Sequence, residues 1–460
     1  MTDTLELGDA YGATLDRIKG QGGEKAGLGI AALMWISHSE RPLKADELCH
    51  ALAVEIGSPS LDAENVPSIG LLLACCQGLI TVDKEASTVR LIHFTVQEYL
   101  QAHPELFDSA HSTMAETCLS YLNSRQVKAL PAGPNPDLED SNLQDTWRAD
   151  SGHDYSDLED SQMQSTPFLE YSSLYWGIHA KIELSDCARL LALKLFDDYN
   201  DHISTTILLG ELEVYGYGID FDYLSLFTGL HCASLFGIAK IVAGLVEVEG
   251  CDINWEDCVG NTPLVWAAGN GHEEVVKILL GRGDINPNKP DKFGRTPLWR
   301  ATRNGHERVV QALLRRDEVN PDKPDTFGGT PLACAASNGH EGVVKILLGR
   351  DDVDPNKPND HSETPLWGAA LYGQEAVVKI LLARDDVNPD EPDDDDRTPL
   401  SYAAVNGYEG VVKILLQRDD VNPNKPDIFG RTPLWYASKR GHVGVMALLQ
   451  FLVSATPCTA

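Results

Sequence analysis

The sequence predicts a predominantly α fold: a solenoid of about seven 34-residue repeats, preceded by a smaller helical domain with a β-hairpin. Three observations carry this. Thr-Pro-Leu begins at Thr262, Thr296, Thr330, Thr364, Thr398 and Thr432, every interval being 34, and one period earlier Thr228 opens Thr-Gly-Leu-His-Cys-Ala. A glycine keeps the same register at Gly237, Gly271, Gly305, Gly339, Gly373, Gly407 and Gly441. The 460 residues are 43% hydrophobic and 23% charged, as in an ordinary globular protein. No stretch approaches the roughly 18 uninterrupted apolar residues of a membrane helix.

Each unit reads as two helices and a loop. Threonine suits the N-cap, proline the first helical position, and leucine starts the buried stripe. Small residues follow, as at Ala335-Ala336 and Ala403-Ala404, and let neighbouring helices approach closely. The helix ends at Asn-Gly, as at Asn338-Gly339, where glycine takes the left-handed C′ conformation. A second helix, Glu-Gly-Val-Val-Lys-Ile-Leu-Leu at 341–348 and 409–416, has a wide apolar face that needs a neighbour. The segment Arg418–Gly430 is rich in Pro, Asn and Asp and predicts an extended loop ending in a tight turn.

This pattern resembles the ankyrin repeat over roughly 222–460. The family's histidine after Thr-Pro-Leu stands only at His231, while the Gly-His histidine stands at His272, His306, His340 and His442. The resemblance implies a concave face of first helices and turn tips that receives protein partners. The tips pair Lys292 with Phe293, Thr326 with Phe327, and Ile428 with Phe429; between them lie Asp360 and His361, then Asp393, Asp394, Asp395 and Asp396. Phe293, Phe327 and Phe429 are candidate partner contacts, with Lys292 and Ile428 beside them, or else each ring folds onto its own loop. Asp394 and Asp395 sit in a solvated tip or a site for a basic partner segment. Their spacing lacks the pattern of a calcium loop. Trp299, Trp367 and Trp435 are expected to pack within or between repeats. The last unit ends in Leu448, Leu449, Phe451, Leu452 and Val453, with little polar cover.

The N-terminal half begins with a helical segment (1–25). Residues 26–130 then read as a mostly apolar helix from Ala26, an amphipathic helix from Pro42, a helix at 69–78, a hairpin of Leu79–Asp83 with Thr88–Phe94, a helix capped by Thr95, and another at 112–122. Three helices followed by a two-stranded wing describe a winged helix. Trp35–Leu43, Leu91–Leu100 and Pro167–Gly177 resemble the region after the NACHT nucleotide-triphosphatase in fungal STAND-type proteins, where a winged helix of the GPI inositol-deacylase type precedes ankyrin repeats. That resemblance implies a wing histidine, here His93, against a nucleotide diphosphate; the other reading of His93 is structural. No Gly-x-x-x-x-Gly-Lys-[Ser/Thr] is present, so no nucleotide-binding loop accompanies the winged helix. Residues 131–165, with Asp-Leu-Glu-Asp-Ser twice, predict an acidic disordered linker. Residues 166–221 predict a helical collar against the first repeat.

Lys and Arg number 37 against 69 Asp and Glu, a net charge of −32. Residues 1–227 hold 13 basic and 36 acidic side chains, a net of −23, and the rest hold 24 and 33, a net of −9. Neither half has the cationic surplus that nucleic acid or anionic lipid demands. Ten cysteines without a Cys-x-x-Cys indicate reduced thiols in a cytoplasmic protein. No Gly-x-Ser-x-Gly or His-Glu-x-x-His is present, and no cofactor or metal is expected. The expected function is non-enzymatic protein–protein interaction, the repeats sensing or scaffolding and the winged helix coupling, in fungal self/non-self recognition or innate defence. The alternative is the C-terminal part of a NACHT signalling NTPase whose nucleotide-binding domain is absent or supplied in trans.

Overall fold

The computed structural model describes residues 2–131, 166–212 and 226–455, with backbone alone at 2–7 and 451–455. The linker expectation for 131–165 therefore falls almost wholly outside the described residues, as do the side chains of Phe451, Leu452 and Val453. The chain divides into two compact units, 1–229 and 230–460.

In the N-terminal unit, α1 (Thr2–Gly20) lays Leu15 and Ile18 on the apolar α2 (Gly23–His38), whose Ala32, Leu33 and Trp35 are buried. α3 (Ala45–Ala53) and α4 (Ile69–Cys75) follow, the latter capped by Ser68. β1 (Ile80–Val82) pairs antiparallel with β2 (Val89–Leu91) in the register Ile80↔Leu91. A bridge between Lys44 and Thr88 adds a third extended segment just before α3. This is the expected order of helices and wing. One cap differs: His93, not Thr95, caps α5 (Phe94–Ala102), its Nδ1 accepting from the Thr95 N–H.

After α6 (Ala110–Leu122) and the short α7 (Arg125–Lys128), the described part of 166–221 holds α8 (Leu169–Ile182), α9 (Asp186–Phe196) and α10 (Ile203–Glu211). Its partners within the unit are a finding. α8 makes the unit's most extensive helix pairing with α6. Phe168 sets its ring edge-on to Trp35 at 5.4 Å and to Tyr121 at 5.3 Å, and all three rings are buried. The aromatic run 168–176 fills the core of this unit, with Phe168, Tyr171 and Trp176 buried. Burying three large rings outweighs any preference for an exposed stripe.

In the C-terminal unit, from Pro263–Gly269 onward, each first helix, such as Pro331–Ser337, packs on the next first helix, and each second helix, such as Glu341–Leu348, on the next second helix. All six Thr-Pro-Leu threonines cap their helices, each Oγ1 accepting the N–H three residues on. The register glycines have φ between +72° and +77°. A methyl group on Gly271 would also come within 2.7 Å of His306, so backbone and packing both exclude a side chain there. The Gly-His histidines tie consecutive units: Nε2 of His272, His306, His340 and His442 bonds the carbonyls of Leu235, Gly269, Arg303 and Val405 at 2.8–3.0 Å. Gln374 makes the same bond to Ser337 O at 3.1 Å.

The loops carry further ladders. Arg282, Arg316, Arg350, Arg384 and Arg418 each donate to a carbonyl 36 residues back while pairing with an acid two residues on. Lys289, Lys323, Lys357 and Lys425 donate to carbonyls 35 back. These bonds account for the fixed Arg-Asp-Asp-Val-Asn-Pro-Asn-Lys composition.

At the tips Gly260, Gly294, Gly328 and Gly430 have φ of +85°, +76°, +78° and +74°, but Ser362 and Asp396 hold the equivalent place at +61° and +60°. A non-glycine residue in this region is strained by roughly 1–2 kcal/mol, partly offset by the flexibility glycine adds to the unfolded chain. S362G and D396G are therefore each expected to stabilise the repeat unit by a few tenths to about 1 kcal/mol. Urea midpoints check this, and a lower midpoint for both would contradict the strain.

Candidate partner-binding surface

The tips are built on one side chain per repeat. Oδ1 of Asp257, Asp291, Asp325, Asn359, Asp393 and Asp427 accepts the backbone N–H groups two and four residues on, at 2.8–3.0 Å. This closes each turn. The tips then join in series: Thr326 N donates to Phe293 O, Asp360 N to Phe327 O, and Ile428 N to Asp395 O, at 2.9–3.1 Å. The second carboxylate oxygen reaches the first helix. Asp291 receives Arg295 and Arg300, both at 2.8 Å, and Asp427 receives Arg431 at 2.7 Å and Tyr436 at 2.5 Å. Burial would raise the Asp427 pKa, but the Tyr436 hydroxyl, the Arg431 N–H and guanidinium and the Phe429 N–H outweigh it and hold it at about 2.

This frame places the candidate residues differently from one another. Phe327 is 65% exposed and Phe429 67%, with Ile428 exposed beside it. Phe293 is half-buried, with the Arg295 guanidinium 4.3 Å from its ring centre. The Lys292 ammonium turns back to Cys258 O at 2.6 Å, which holds it to the preceding tip. Asp394 is exposed and accepts from Ser362 Oγ at 2.7 Å, whereas Asp395 pairs with Arg397 at 2.8 Å. The tryptophans, expected alike in the packing, are graded. Trp299 is 6% exposed and donates to Gly329 O, Trp367 is half-buried with its Nε1 lacking an acceptor, and Trp435 is 44% exposed.

Trp299 and Trp367 flank a cavity of about 460 Å³ on the first-helix side, over Ala333, Cys334 and Ser337. Its origin is legible in the register. Where other repeats carry Asn261, Arg295, Arg397 or Arg431, the fourth has Gly329; where they carry Trp266, Arg300, Tyr402 or Tyr436, the fourth and fifth have Cys334 and Gly368. The hollow is where the large side chains of the ladder are missing.

In the N-terminal unit His93 lies by a cavity of about 290 Å³ also lined by Arg41, Arg90 and Gln97. Its Nδ1 is held by Thr95 and its ring leans on Phe94. Both arginines are already paired, Arg90 with Asp83 at 3.0 Å and Arg41 with Glu47 and Glu170. Sequence reasoning missed the Arg41–Glu47 pair, where the buried Glu47 carboxylate takes both guanidinium nitrogens at 2.7 and 2.8 Å and the Lys44 N–H at 2.7 Å. Among the described residues no helix is long and apolar enough to cross a membrane, and no cluster of three or more His, Cys, Asp or Glu has metal-holding geometry.

Comparison with known proteins agrees with both units. Residues 230–325, 317–390, 349–427 and 385–456 match the family of ankyrin repeats, and residues 17–115 match the winged helix domain of GPI inositol-deacylase. The chain thus carries a winged helix domain followed by an ankyrin-repeat domain, a fold of protein–protein interaction. Among solved structures, the crystal structure of the human ASB11 ankyrin repeat domain is similar at 26% identity and a TM-score of 0.44, covering 50% of this chain and 98% of that one. No curated protein matches the chain.

Proposed function

We propose that this chain is a non-enzymatic cytoplasmic interaction protein whose ankyrin repeats hold a protein partner on the concave face and tips, with the winged helix as the coupling unit. The observation that carries this is the row of exposed Phe327, Ile428 and Phe429 on tips locked together by backbone hydrogen bonds. Large apolar side chains on a rigid frame lose little entropy on binding, which is what an interface anchor needs. The pairing of this winged helix type with ankyrin repeats supports a role in STAND-type self/non-self recognition or innate defence. Pulldown with the full chain, repeated with F293A/F327A/F429A, is expected to lose most of the recovered partner; unchanged recovery would sink the proposed face. The winged helix match also favours a second reading, the rear part of a NACHT NTPase. An in-frame Gly-x-x-x-x-Gly-Lys-[Ser/Thr] upstream of Met1 in the transcript would support it, and an upstream stop codon would end it.

A further inference from the structure

The cavity between Trp299 and Trp367 has a specific charge, and the fifth repeat sets it. That repeat departs from its neighbours at four register positions: Asn359 for aspartate, Glu363 where three others have arginine, Gly368 for a large side chain, and Tyr372 where Asn270, Asn304, Asn338 and Asn406 stand. All four departures line the cavity. Two of them compensate each other. At Asp291 and Asp427 the aspartate holds an arginine four residues on; here Asn359 Nδ2 donates to Glu363 Oε2 at 2.6 Å. The turn keeps its hydrogen bond while the group facing the cavity changes from cation to carboxylate. Glu363 has no cationic partner, and the exposed Asp360, Asp394 and Asp396 stand on the same tips. Aromatic faces beside a carboxylate attract a cation through the ring quadrupole and a charge-assisted hydrogen bond together.

We propose that this groove takes an extended basic segment of a protein partner, one Arg or Lys side chain lying against Trp367 and Tyr372 with its charge on Glu363. The inference rests on the reading of the repeats as a partner-binding surface and names the chemistry of what they bind. Arg303 lies on the far wall, its guanidinium 5.6 Å from the Trp299 ring centre, and repels the ligand's charge toward Glu363.

The test uses the immobilised full chain and a displayed library of random twelve-residue peptides. Wild type is expected to enrich peptides with Arg or Lys, and E363Q, which preserves an acceptor for Asn359, to lose that enrichment. For one selected peptide made with arginine and with citrulline, anisotropy titration should give at least about fivefold weaker binding by the citrulline form. R303Q should tighten the arginine peptide. G329R, which restores the register residue and fills the hollow beside Asp325, should abolish binding. Absence of any selected peptide, selection without basic residues, or equal enrichment on E363Q would overturn the proposal. Peptides lost with F327A/F429A but indifferent to E363Q would leave the partner-binding reading standing and remove only this groove.

Discussion

Acid is expected to unfold the N-terminal unit before the central repeats. His179 is fully buried, and burial first, then the neighbouring His111 and His38, lower its pKa to about 3. His202 is likewise buried and lowered to about 4, again chiefly by burial. Burial keeps both rings neutral, and their hydrogen bonds fix the tautomers. The Glu40 N–H donates to Tyr171 Oη at 3.2 Å, so the tyrosine proton goes to His179 Nε2 at 2.9 Å and His179 Nδ1–H goes to His111 Nδ1 at 2.9 Å. His202 accepts the Ser204 N–H at Nδ1 and donates from Nε2 to Leu122 O at 3.0 Å. In the unfolded chain both titrate near the ordinary value of about 6.5, so below that pH the unfolded state binds more protons. Stability is complete above pH 6.5 and falls as pH drops toward 4 and 3. Between pH 7 and 4.5 the two groups together remove on the order of 5 kcal/mol. The first repeat shares the trait through buried His231, whose pKa is also lowered by burial. Pulse-labelled hydrogen exchange on the full chain should therefore show 110–122 and 169–182 opening at a higher pH than 331–348. H202N, which keeps an acceptor for the helix cap, should reduce the pH slope of the N-terminal unit, the rest coming from His179 and from His111, whose pKa burial also lowers; an unaltered slope would refute the assignment.

R41A is expected to be the most damaging single change outside the repeats. It leaves the Glu47 carboxylate, 2% exposed, with the Lys44 N–H alone. Breaking a buried pair from one side costs ~3–5 kcal/mol, because the remaining charge stays in a low-dielectric site. For a unit of this size that is a fall of roughly 10 °C in Tm. Arg41 also reaches Glu170 at 3.1 Å and lies 5.4 Å from the Tyr171 ring centre, so its loss loosens α8 as well. The double change R41M/E47Q removes both charges yet keeps an acceptor for Lys44, and should recover most of the lost stability. If R41A melts within 2 °C of wild type, the pair contributes little and the account of this core fails.

The repeat half was readable because its order is written in the period: caps, C′ glycines and apolar stripes recur every 34 residues. What the period hid was variation within it. Phe293, Phe327 and Phe429 occupy one register position, yet exposure separates them: Phe293 is half-buried while Phe429 stays exposed, although Arg431 lies as close to the Phe429 ring (4.4 Å) as Arg295 does to that of Phe293 (4.3 Å). The tie from Lys292, a candidate partner contact, to a carbonyl 34 residues back has no signature in sequence. Glu363 carries no signal of its own, since a lone acid in an acidic chain stands out only once the register shows that it has replaced an arginine. In the N-terminal half the order of helices and wing was legible from hydrophobic runs. Long-range pairs such as Arg41–Glu170 and the docking of Phe168 on Trp35 were not, because the contacting residues are more than 120 apart. Nothing in an acidic sequence distinguishes the buried Glu47 from a surface acid.

The central claim is that a protein partner lies across the tips and first helices rather than on the outer helices. Photo-crosslinking reads this directly: benzoylphenylalanine is placed at Phe327 or Phe429, or at the exposed outer-helix residues Lys345 and Lys413, and the full chain is irradiated in native extract. A discrete partner adduct from positions 327 and 429, and none from 345 and 413, is the predicted result. Adducts from the outer helices, with none from the tips, would contradict it.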